Sequence, residues 1–435
     1  MISQLHGWRK RTRSALVAML VATSVAAGLA PAQAGSTIPS LPQLNADNST
    51  PRVVDDAVVS EAGVRELRQV GTTMYAGGEF NRVTNAAGTT AYTRQNLFSF
   101  SSTTGAVTAF APTVNGAVYA MEPSADGRFL YVGGDFTRFN NQPVNRLVRI
   151  TVATGQLDLA FRSPVAASRV SDLQVVGERL FVAGTFPGGM AALDPTTGAR
   201  TSYLSGVAAT GAETGYTTRV YRFAVNPAQN RMVVIGSFTA VGGQPRQQAA
   251  MVRLVSGAAT VSPWSSPQWG AECSQRLLWF TRDVDWSPDG TYFAIVTTGA
   301  AFYPTLCDTI TRWNHVEGVT ETATQQPAWI NYSGGDTFHS VVATNQGIIV
   351  SGHIRWLDNP QGRDTMGPGA VNRLGIGAVD PGNGRALPWN PGKSVEGGLG
   401  GFDLYFTSRG LWVAHFEQSL GTPREVHPGV GLLPF

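Results

Sequence analysis

Tyr131–Phe136 reads YVGGDF, and versions of this hexapeptide return at intervals of roughly fifty to sixty residues until the C-terminus. The other copies begin at Tyr75, Phe181, Val233, Ala294, Ile349 and Leu411. Each is a short run of β-forming residues that ends near a polar side chain. A β-rich segment repeated at this period is typical of propeller blades. The sequence therefore predicts an all-β fold, a seven-bladed β-propeller, with six or eight blades as the alternatives.

The second repeat shows the pattern of one blade most clearly. Val118–Glu122 alternates as an inner strand, Ser124–Gly127 has the composition of a hairpin turn, and Phe129–Phe136 forms the second strand. Asn145–Ile150 and Leu157–Phe161 follow as the third and fourth strands. Four antiparallel strands in about fifty residues make one blade.

An aromatic residue follows the third turn of most repeats. These residues are Phe110, Phe161, Tyr203, Trp264 and Trp389. Large aromatic side chains at equivalent places bury much apolar surface. We expect them to pack between neighbouring blades.

The last repeat is too short to complete a blade by itself. After Phe416 only 19 residues remain, enough for a loop and one strand at Gly429–Phe435. Arg52–Val59, which precedes the first repeat, reads as a strand and is predicted to supply the missing one by pairing with the C-terminal strand. Such a closure leaves no open edge in the ring.

The N-terminus has the features of an export signal. Four basic residues between Arg9 and Arg13 precede an apolar run, Ala15–Ala30, and Ala32–Ala34 supplies a cleavage site of small residues. A membrane anchor is the alternative, but sixteen apolar residues are short for a bilayer. We predict a signal peptide at 1–34, a linker at 35–51 and a single propeller domain at 52–435, in a secreted or cell-envelope protein.

The charge balance argues against polyanionic partners. Without residues 1–34 the chain holds 28 Lys and Arg and 29 Asp and Glu, a formal charge of −1. Binding to nucleic acid or to an anionic membrane needs a clustered basic surface. We expect no nucleic-acid partner, no membrane insertion after signal cleavage, a monomer, and an unknown protein or glycan ligand.

Cys273 and Cys307 are the only cysteines. They fall in the fifth repeat, before its first strand and after its second, where the two loops emerge on one face. A disulfide is predicted for an exported chain. A reactive or metal-binding thiol pair is the alternative, although no His stands at zinc spacing.

The fifth position of the hexapeptide holds a polar residue in every copy. The set is Glu79, Asp135, Thr185, Ser237, Thr298, His353 and His415. These side chains either satisfy loop amides where the strand ends or form a polar ring at one mouth of the channel. Glu79, Asp135, His353 and His415 are the candidate binding ring of the second interpretation.

Four carboxylates occupy equivalent places on predicted inner strands. They are Glu66, Asp172, Asp283 and Asp403. Such a group near an axis could orient a sugar or hold a hard cation such as calcium, but solvated acids in a water-filled channel are the plainer interpretation. No metal site or cofactor is supported by a motif.

The GGDF-type strand, the polar loop that leads to Asn145–Leu147, and the Thr154–Gly155 turn before Phe161 together resemble the delta-60 repeat β-propellers of exported actinobacterial proteins. The resemblance extends over about residues 64 to 393. It implies a propeller in a secreted or cell-envelope setting, with no catalytic motif and no cofactor.

No recognisable catalytic set accompanies the repeats. The sequence lacks a nucleophile elbow before a helix, and its glycine-rich stretch Gly397–Gly401 precedes a strand and not the helix of a phosphate loop. We therefore expect an extracellular binding or scaffolding module that uses its channel mouth. The alternative is a secreted polysaccharide hydrolase or lyase that uses the channel carboxylates.

Overall fold

The computed structural model describes residues 35–165, 168–212, 216–271, 273, 279–299, 304–394 and 400–435. The predicted signal peptide lies outside the described residues. Helical structure in this part of the chain consists of two short 3₁₀ turns, Ser205–Val207 and Pro267–Gly270. No helix among these residues is long and apolar enough to cross a bilayer.

Seven antiparallel sheets follow one another along the described chain, each with its strands side by side in sequence order. Sheet 1 contains Gly63–Val70, Thr73–Glu79 and Leu97–Ser101; sheet 2 contains Val118–Pro123, Phe129–Gly134 and Leu147–Thr151; sheet 3 contains Val170–Val176, Arg179–Gly184 and Met190–Leu193. Sheet 4 contains Arg219–Val225, Arg231–Ser237, Ala249–Arg253 and Thr260–Val261; sheet 5 contains Phe280–Trp286, Tyr292–Thr298, Thr309–Asn314 and Trp329–Tyr332. Sheet 6 contains Phe338–Ala343, Ile348–Gly352 and Ile376–Val379; sheet 7 contains Gly401–Thr407, Gly410–His415 and Val430–Pro434. The first strand of each sheet is called its inner strand below.

Short hairpins lie between the second and third strands of five sheets. They are Arg82–Thr84 with Ala91–Thr93, Arg138–Phe139 with Gln142–Pro143, Ala240–Val241 with Gln244–Pro245, Trp356–Leu357 with Val371–Asn372, and Ser419–Leu420 with Glu425–Val426. Two further strands, Arg52–Val54 and Ala209–Thr210, join the first and third of these hairpins.

A fourth strand is present in sheet 4, as the two residues Thr260–Val261, and in sheet 5, as Trp329–Tyr332, and it is further reduced elsewhere. In sheets 1, 2, 3 and 6 the place of the fourth strand is marked by a single antiparallel bridge. These bridges are Phe100 to Val107, Ile150 to Leu157, Leu193 to Arg200, and Val379 to Ala386. The fourth strand predicted at Leu157–Phe161 is therefore one bridge long.

The outer edge of sheet 7 is covered by a segment that we did not predict. Gln43 donates its backbone N–H to Pro434 O at 2.7 Å, and Asp47 donates to Leu432 O at 2.8 Å. Arg52–Val54 instead pairs with Arg82–Thr84, so the predicted pairing of Arg52–Val59 with the C-terminal strand is wrong.

The reason lies in the apolar residues of the predicted linker. Ile38 and Ala46 are buried in the core that sheets 6 and 7 share, and the indole N–H of Trp389 donates to Pro42 O at 2.7 Å. The Pro- and Asn-rich composition of residues 35–51 hides these anchors, because a segment that packs through isolated side chains shows no strand period.

Apolar packing connects the sheets in series. Seven buried clusters each lie between two successive sheets, and one of the seven lies between sheet 7 and sheet 1. The inner strands contact one another in the same succession. The aromatic residues predicted to pack between blades lie in five of these clusters: Phe110, Phe161, Tyr203, Trp264 and Trp389. Truncating such a residue to alanine costs about 3–5 kcal/mol.

Candidate functional site

Every inner strand carries a β-bulge at the same place, close to its first residue. In sheet 2 the pairing jumps from Val118 to Ala120 while the partner strand advances by one residue from Gly134 to Gly133. The residues skipped in this way are Arg65, Tyr119, Ser171, Tyr221, Arg282, His339 and Phe402. A bulge redirects its side chain and is often found beside a functional site. We call these seven residues the bulge ring.

The glycine at the fourth position of the hexapeptide is a consequence of the bulge. A Cβ atom on Gly134 would meet the carbonyl oxygen of Ala117, and one on Gly78 would meet that of Gly63, both well inside 3.0 Å. Gly134 also donates its N–H to the carbonyl of Arg146, a residue in the left-handed region with φ of 58°. The motif that organises the sequence is therefore the backbone support of the bulge ring.

Strand register corrects the assignment of His415. Ala120 pairs with Gly133, the third residue of its hexapeptide, whereas the equivalent Asp403 pairs with Ala414, the fourth residue of the last copy. The seventh copy is thus displaced by one residue, and Phe416 occupies the fifth position instead of His415.

His415 lies in the place of the bulge-supporting glycine and is 0% exposed. Its Nδ1 accepts the backbone N–H of Glu417 at 3.1 Å, and burial together with Lys393 holds the pKa of His415 well below its ordinary value. A fully buried, neutral imidazole does not present itself to a ligand at the channel mouth. His415 therefore does not belong with the other residues of the candidate binding ring.

The remaining candidates lie at the strand ends beside the bulge ring. Glu79 is exposed and lies 3.5 Å from Arg65. Asp135 accepts a hydrogen bond from Arg169 Nε at 2.8 Å and lies 3.7 Å from Arg146. His353 is half-buried, and burial lowers its pKa.

Cation–π contacts connect one side of the bulge ring. The guanidinium carbon of Arg65 lies 4.8 Å from the ring centre of Tyr119, 4.9 Å from Phe402 and 4.7 Å from Phe416. Arg169 covers Tyr119 as well, at 4.4 Å. Arginine over an aromatic face is attracted by the ring quadrupole, so these contacts hold the half-buried cations in place.

The other side of the ring is built in a similar way. Arg219 lies 3.8 Å over Tyr221, which stacks on Phe280 with ring centres 4.7 Å apart. Arg282 hydrogen bonds to Nδ1 of His339, whose ring lies 4.7 Å from Phe402.

Several cations surround the bulge ring. Burial, with Arg219 and Arg65 nearby, lowers the pKa of Arg282 to about 10, which leaves this guanidinium charged at neutral pH. Burial and Arg282 hold the pKa of His339 well below its ordinary value, so His339 is neutral. Neither Arg219 nor Arg282 forms an ion pair with a carboxylate among the described residues.

Three of the four predicted channel acids, Glu66, Asp172 and Asp403, form a network with two arginines, and Arg222 also attracts the fourth, Asp283, without contacting it. Arg222 lies 3.4 Å from both Glu66 and Asp172. Arg68 pairs with Glu66 and lies 3.2 Å from Asp403. Arg222 occupies the strand position of the acids in sheet 4, whereas Arg68 lies two residues after Glu66 in sheet 1.

Each of three predicted acids also accepts a backbone N–H from the inner strand of a neighbouring sheet. Asp172 accepts from Phe223, Asp283 from Val341 and Asp403 from Leu67, each at 2.9 Å. A carboxyl oxygen that accepts an amide N–H from the neighbouring sheet joins the two sheets by a buried hydrogen bond.

Two acids that the sequence analysis missed make the same connection. Glu122 accepts the N–H of Val175 at 2.9 Å, and Asp285 accepts that of Ala343 at 2.8 Å. Both lie two residues after the position of the predicted acids. Their spacing along the strand was the available signal, because alternate residues of a strand share a face.

Burial is the largest cause of the pKa shifts of these carboxyl groups. It raises the pKa of Glu66 to about 8 and that of Asp283 to about 7, with Arg68 and Arg222 respectively opposing the shift. Burial likewise raises the pKa of Glu122 to about 7 and of Asp285 to about 8. No group of three or more potential metal ligands is present among the described residues. The acids bind arginine and backbone amides, which makes them supports of the inner strands.

Cys273 and Cys307 are paired, with Cα atoms 6.1 Å apart. The pair contacts Trp279, immediately before the inner strand of sheet 5. This agrees with the predicted disulfide.

Two comparisons with known proteins bear on the fold. Residues 125–161 match the model of a β-propeller domain of unknown function, DUF5122. The solved WD40 repeats of RRP9 are similar over 90% of this chain and 99% of that one, with a TM-score of 0.52 and 11% identity. No curated protein matches the sequence. With the series of antiparallel sheets, these likenesses show that the chain is an all-β protein of the β-propeller class, and at this identity they concern the fold alone.

Proposed function

We propose that the protein is an exported β-propeller that binds a ligand at the mouth formed by the bulge ring. One observation carries the proposal. Each of the seven inner strands has a bulged residue with no counterpart on the neighbouring strand, and five of these seven residues are arginine or aromatic. Tyr, Trp, Phe and Arg are the residues that most often dominate binding surfaces.

The proposal treats the seven sheets as the seven blades of one closed ring. The apolar cluster between sheets 7 and 1, which includes Trp412 and Val64, supports the closure. So do the hydrogen bonds from Gln43 and Asp47 to the last strand. We also infer that the repeats are of the delta-60 type, on the strength of the hexapeptide and the Asn145–Leu147 element.

The extracellular setting rests on the leader and the cysteines. Residues 1–34 have the charge and hydrophobicity of a signal peptide, and disulfides form in oxidising compartments. N-terminal sequencing of protein recovered from an exporting bacterial host should give Gly35 as the first residue. Recovery of the protein with an intact Met1 terminus from the cytoplasm would contradict this part of the proposal.

The burial and ion pairing of the channel carboxylates argue against the alternative function, a polysaccharide hydrolase or lyase. Glycoside cleavage needs an acid and a base within reach of a bound sugar. Asp172 and Glu66 are buried at 7% and 1% exposure and are paired with Arg222. Release of reducing ends from a polysaccharide by the protein, abolished by Asp172→Asn, would revive the alternative.

A thermal-shift screen with a panel of oligosaccharides and peptides tests the binding function. Ligands that raise Tm are retested on Phe402→Ala, which alters the mouth, and on Arg179→Gln, a control. The guanidinium carbon of Arg179 lies 4.0 Å from the ring centre of Tyr203. Arg179 begins the second strand of sheet 3, at the end of that strand away from the bulge ring. The proposal expects shifts that Phe402→Ala reduces and Arg179→Gln leaves intact. Shifts that are equal in both variants, or none across the panel, would contradict it.

A further inference from the structure

We propose that the mouth receives the carboxylate side chains of an acidic peptide segment, held between Arg219, Arg282 and His339. This inference rests on the proposed binding function and names the chemistry of the partner. The three residues belong to consecutive sheets, 4, 5 and 6. They share one side of the mouth.

The cations on the two sides of the mouth differ in their counterions. Arg65 lies beside Glu79, and Arg169 and Arg146 lie beside Asp135, on the side of sheets 1 to 3. Across the mouth, neither Arg219 nor Arg282 contacts a carboxylate among the described residues, although Asp135 attracts Arg219 from farther away. A half-buried cation without a contacting counterion has lost hydration that an anionic ligand can replace.

Two buried N–H donors lie on the side of sheets 4 to 6. His339 is neutral and faces a guanidinium N–H of Arg282 through Nδ1, which therefore accepts, and its proton lies on Nε2. Nε2 of His339 and Nε of Arg219 are buried and have no hydrogen-bond partner among the described residues. Both are N–H donors. Because these two atoms have no accessible surface, a ligand meets the half-buried guanidinium groups of Arg219 and Arg282, to which a carboxylate brings two acceptor oxygens and the charge.

The covered aromatic rings of the mouth favour a peptide over an acidic sugar. Sugars stack their apolar faces on open aromatic rings, but the rings at this mouth are covered. Tyr221 lies between Arg219 and Phe280, and Tyr119 lies between Arg65 and Arg169. Recognition therefore falls to the guanidinium N–H groups. Short, flexible carboxylate side chains can reach these groups without a stacking platform.

The experiment measures binding of three probes to the purified protein by fluorescence anisotropy or calorimetry. The probes are an oligoglutamate peptide, an oligoglutamine peptide of equal length, and an oligogalacturonate. Arg219→Gln and Arg282→Gln remove one cation each. Arg219→Lys keeps the charge, and Arg179→Gln is the matched control, since Arg179 also covers a tyrosine and has no carboxylate partner among the described residues.

The inference expects oligoglutamate to bind and oligoglutamine not to bind, with an affinity that falls as salt is raised. Arg219→Gln and Arg282→Gln each weaken oligoglutamate binding roughly tenfold or more, because a charge-assisted hydrogen bond is lost. Arg179→Gln leaves the affinity for oligoglutamate unchanged. Arg219→Lys reduces this affinity less than Arg219→Gln does. The melting temperature of each variant establishes that it is folded.

Three outcomes would overturn the inference: no binding of oligoglutamate to the parent protein, equal binding by the mouth variants, or equal binding of oligoglutamine. Binding of oligogalacturonate alone, lost in Arg219→Gln, would also overturn it. That last result would leave the proposed binding function standing, since the mouth would still be the site. Failure of the proposed function itself is recognised separately, from the ligand screen with Phe402→Ala.

Discussion

Replacing Gly134 by alanine tests the connection between the hexapeptide and the bulge ring. The new Cβ would lie 2.1 Å from the carbonyl oxygen of Ala117, whereas Cβ atoms essentially never approach another atom within 3.0 Å. The backbone of one strand must therefore move by about 1 Å. No flexible side chain can relieve the contact, because the opposing atom belongs to the backbone.

The displacement affects two hydrogen bonds. Asp135 N donates to Ala117 O at 2.9 Å, and Gly134 N donates to Arg146 O at 3.0 Å. Loss of both costs about 2 kcal/mol, and overpacking adds about 1–3 kcal/mol. Alanine recovers about 0.4–1 kcal/mol by restricting the unfolded chain. We expect a net destabilisation of about 2–4 kcal/mol, which lowers Tm by roughly 2–5 °C in a chain of this length.

Differential scanning calorimetry measures the effect, with Gly206→Ala as the control. The nearest atom to a Cβ at Gly206 is the carbonyl oxygen of Ala259 at 3.7 Å, and its φ is ordinary, so little change is expected. In Gly78→Ala and Gly236→Ala the new Cβ would also lie 2.1 Å from a backbone carbonyl oxygen, so both should lower Tm as much as Gly134→Ala does. An unchanged Tm in Gly134→Ala, or an equal loss in Gly206→Ala, would refute the argument.

Three further predictions follow from the inner strands and the disulfide. Burial raises the pKa of Asp285 to about 8 from an ordinary 3.8. The folded state then holds a proton that the unfolded state releases, and stability present below about pH 4 is lost as pH rises through about 8. Asp285→Asn should flatten the fall of Tm between about pH 5 and 9, and an unchanged slope would contradict this assignment. Asp403→Ala should cost about 2–4 kcal/mol in chemical denaturation, because the N–H of Leu67 and one side of Arg68 lose their acceptor. Asp403→Asn retains an acceptor and should cost less; equal losses would argue against the hydrogen bond. Cys273→Ser removes the disulfide, whose cysteines have a sequence separation of 34, and should lower the free energy of unfolding by about 3–4 kcal/mol. A reductant should lower Tm of the parent and not of this variant, and equal shifts would disprove the link.

Local chemistry made several features predictable. The copies of YVGGDF marked the second strand of each sheet, because a buried strand needs a continuous apolar run. The residue pair Cys273 and Cys307 was identified from count and placement. Phe161 and Trp264 were correctly expected to pack between neighbouring sheets, since large aromatic side chains at repeated positions need equivalent cavities.

The candidate site was predicted less well. Glu66 and Asp172 were recognised as equivalent, and Arg222 occupies the same strand position in sheet 4. Arg68, which also pairs with Glu66, lies two residues further along its strand, and a comparison of equivalent positions does not detect it. His415 was misplaced by one residue because the apolar run of the last copy fits the hexapeptide in two registers.

By itself, the sequence determined the repeat, the all-β class and the residues of the inner strands. These are consequences of local pattern, since alternation, turn residues and glycines act within a few positions along the chain. The tertiary structure decided that residues 43–47 cover sheet 7, that Phe416 and not His415 completes the fifth-position column, and that Arg219, Tyr221 and Arg282 lie close together around Phe280. Pairing register and bulges decide these features, and the energy that selects them comes from contacts between strands far apart in sequence.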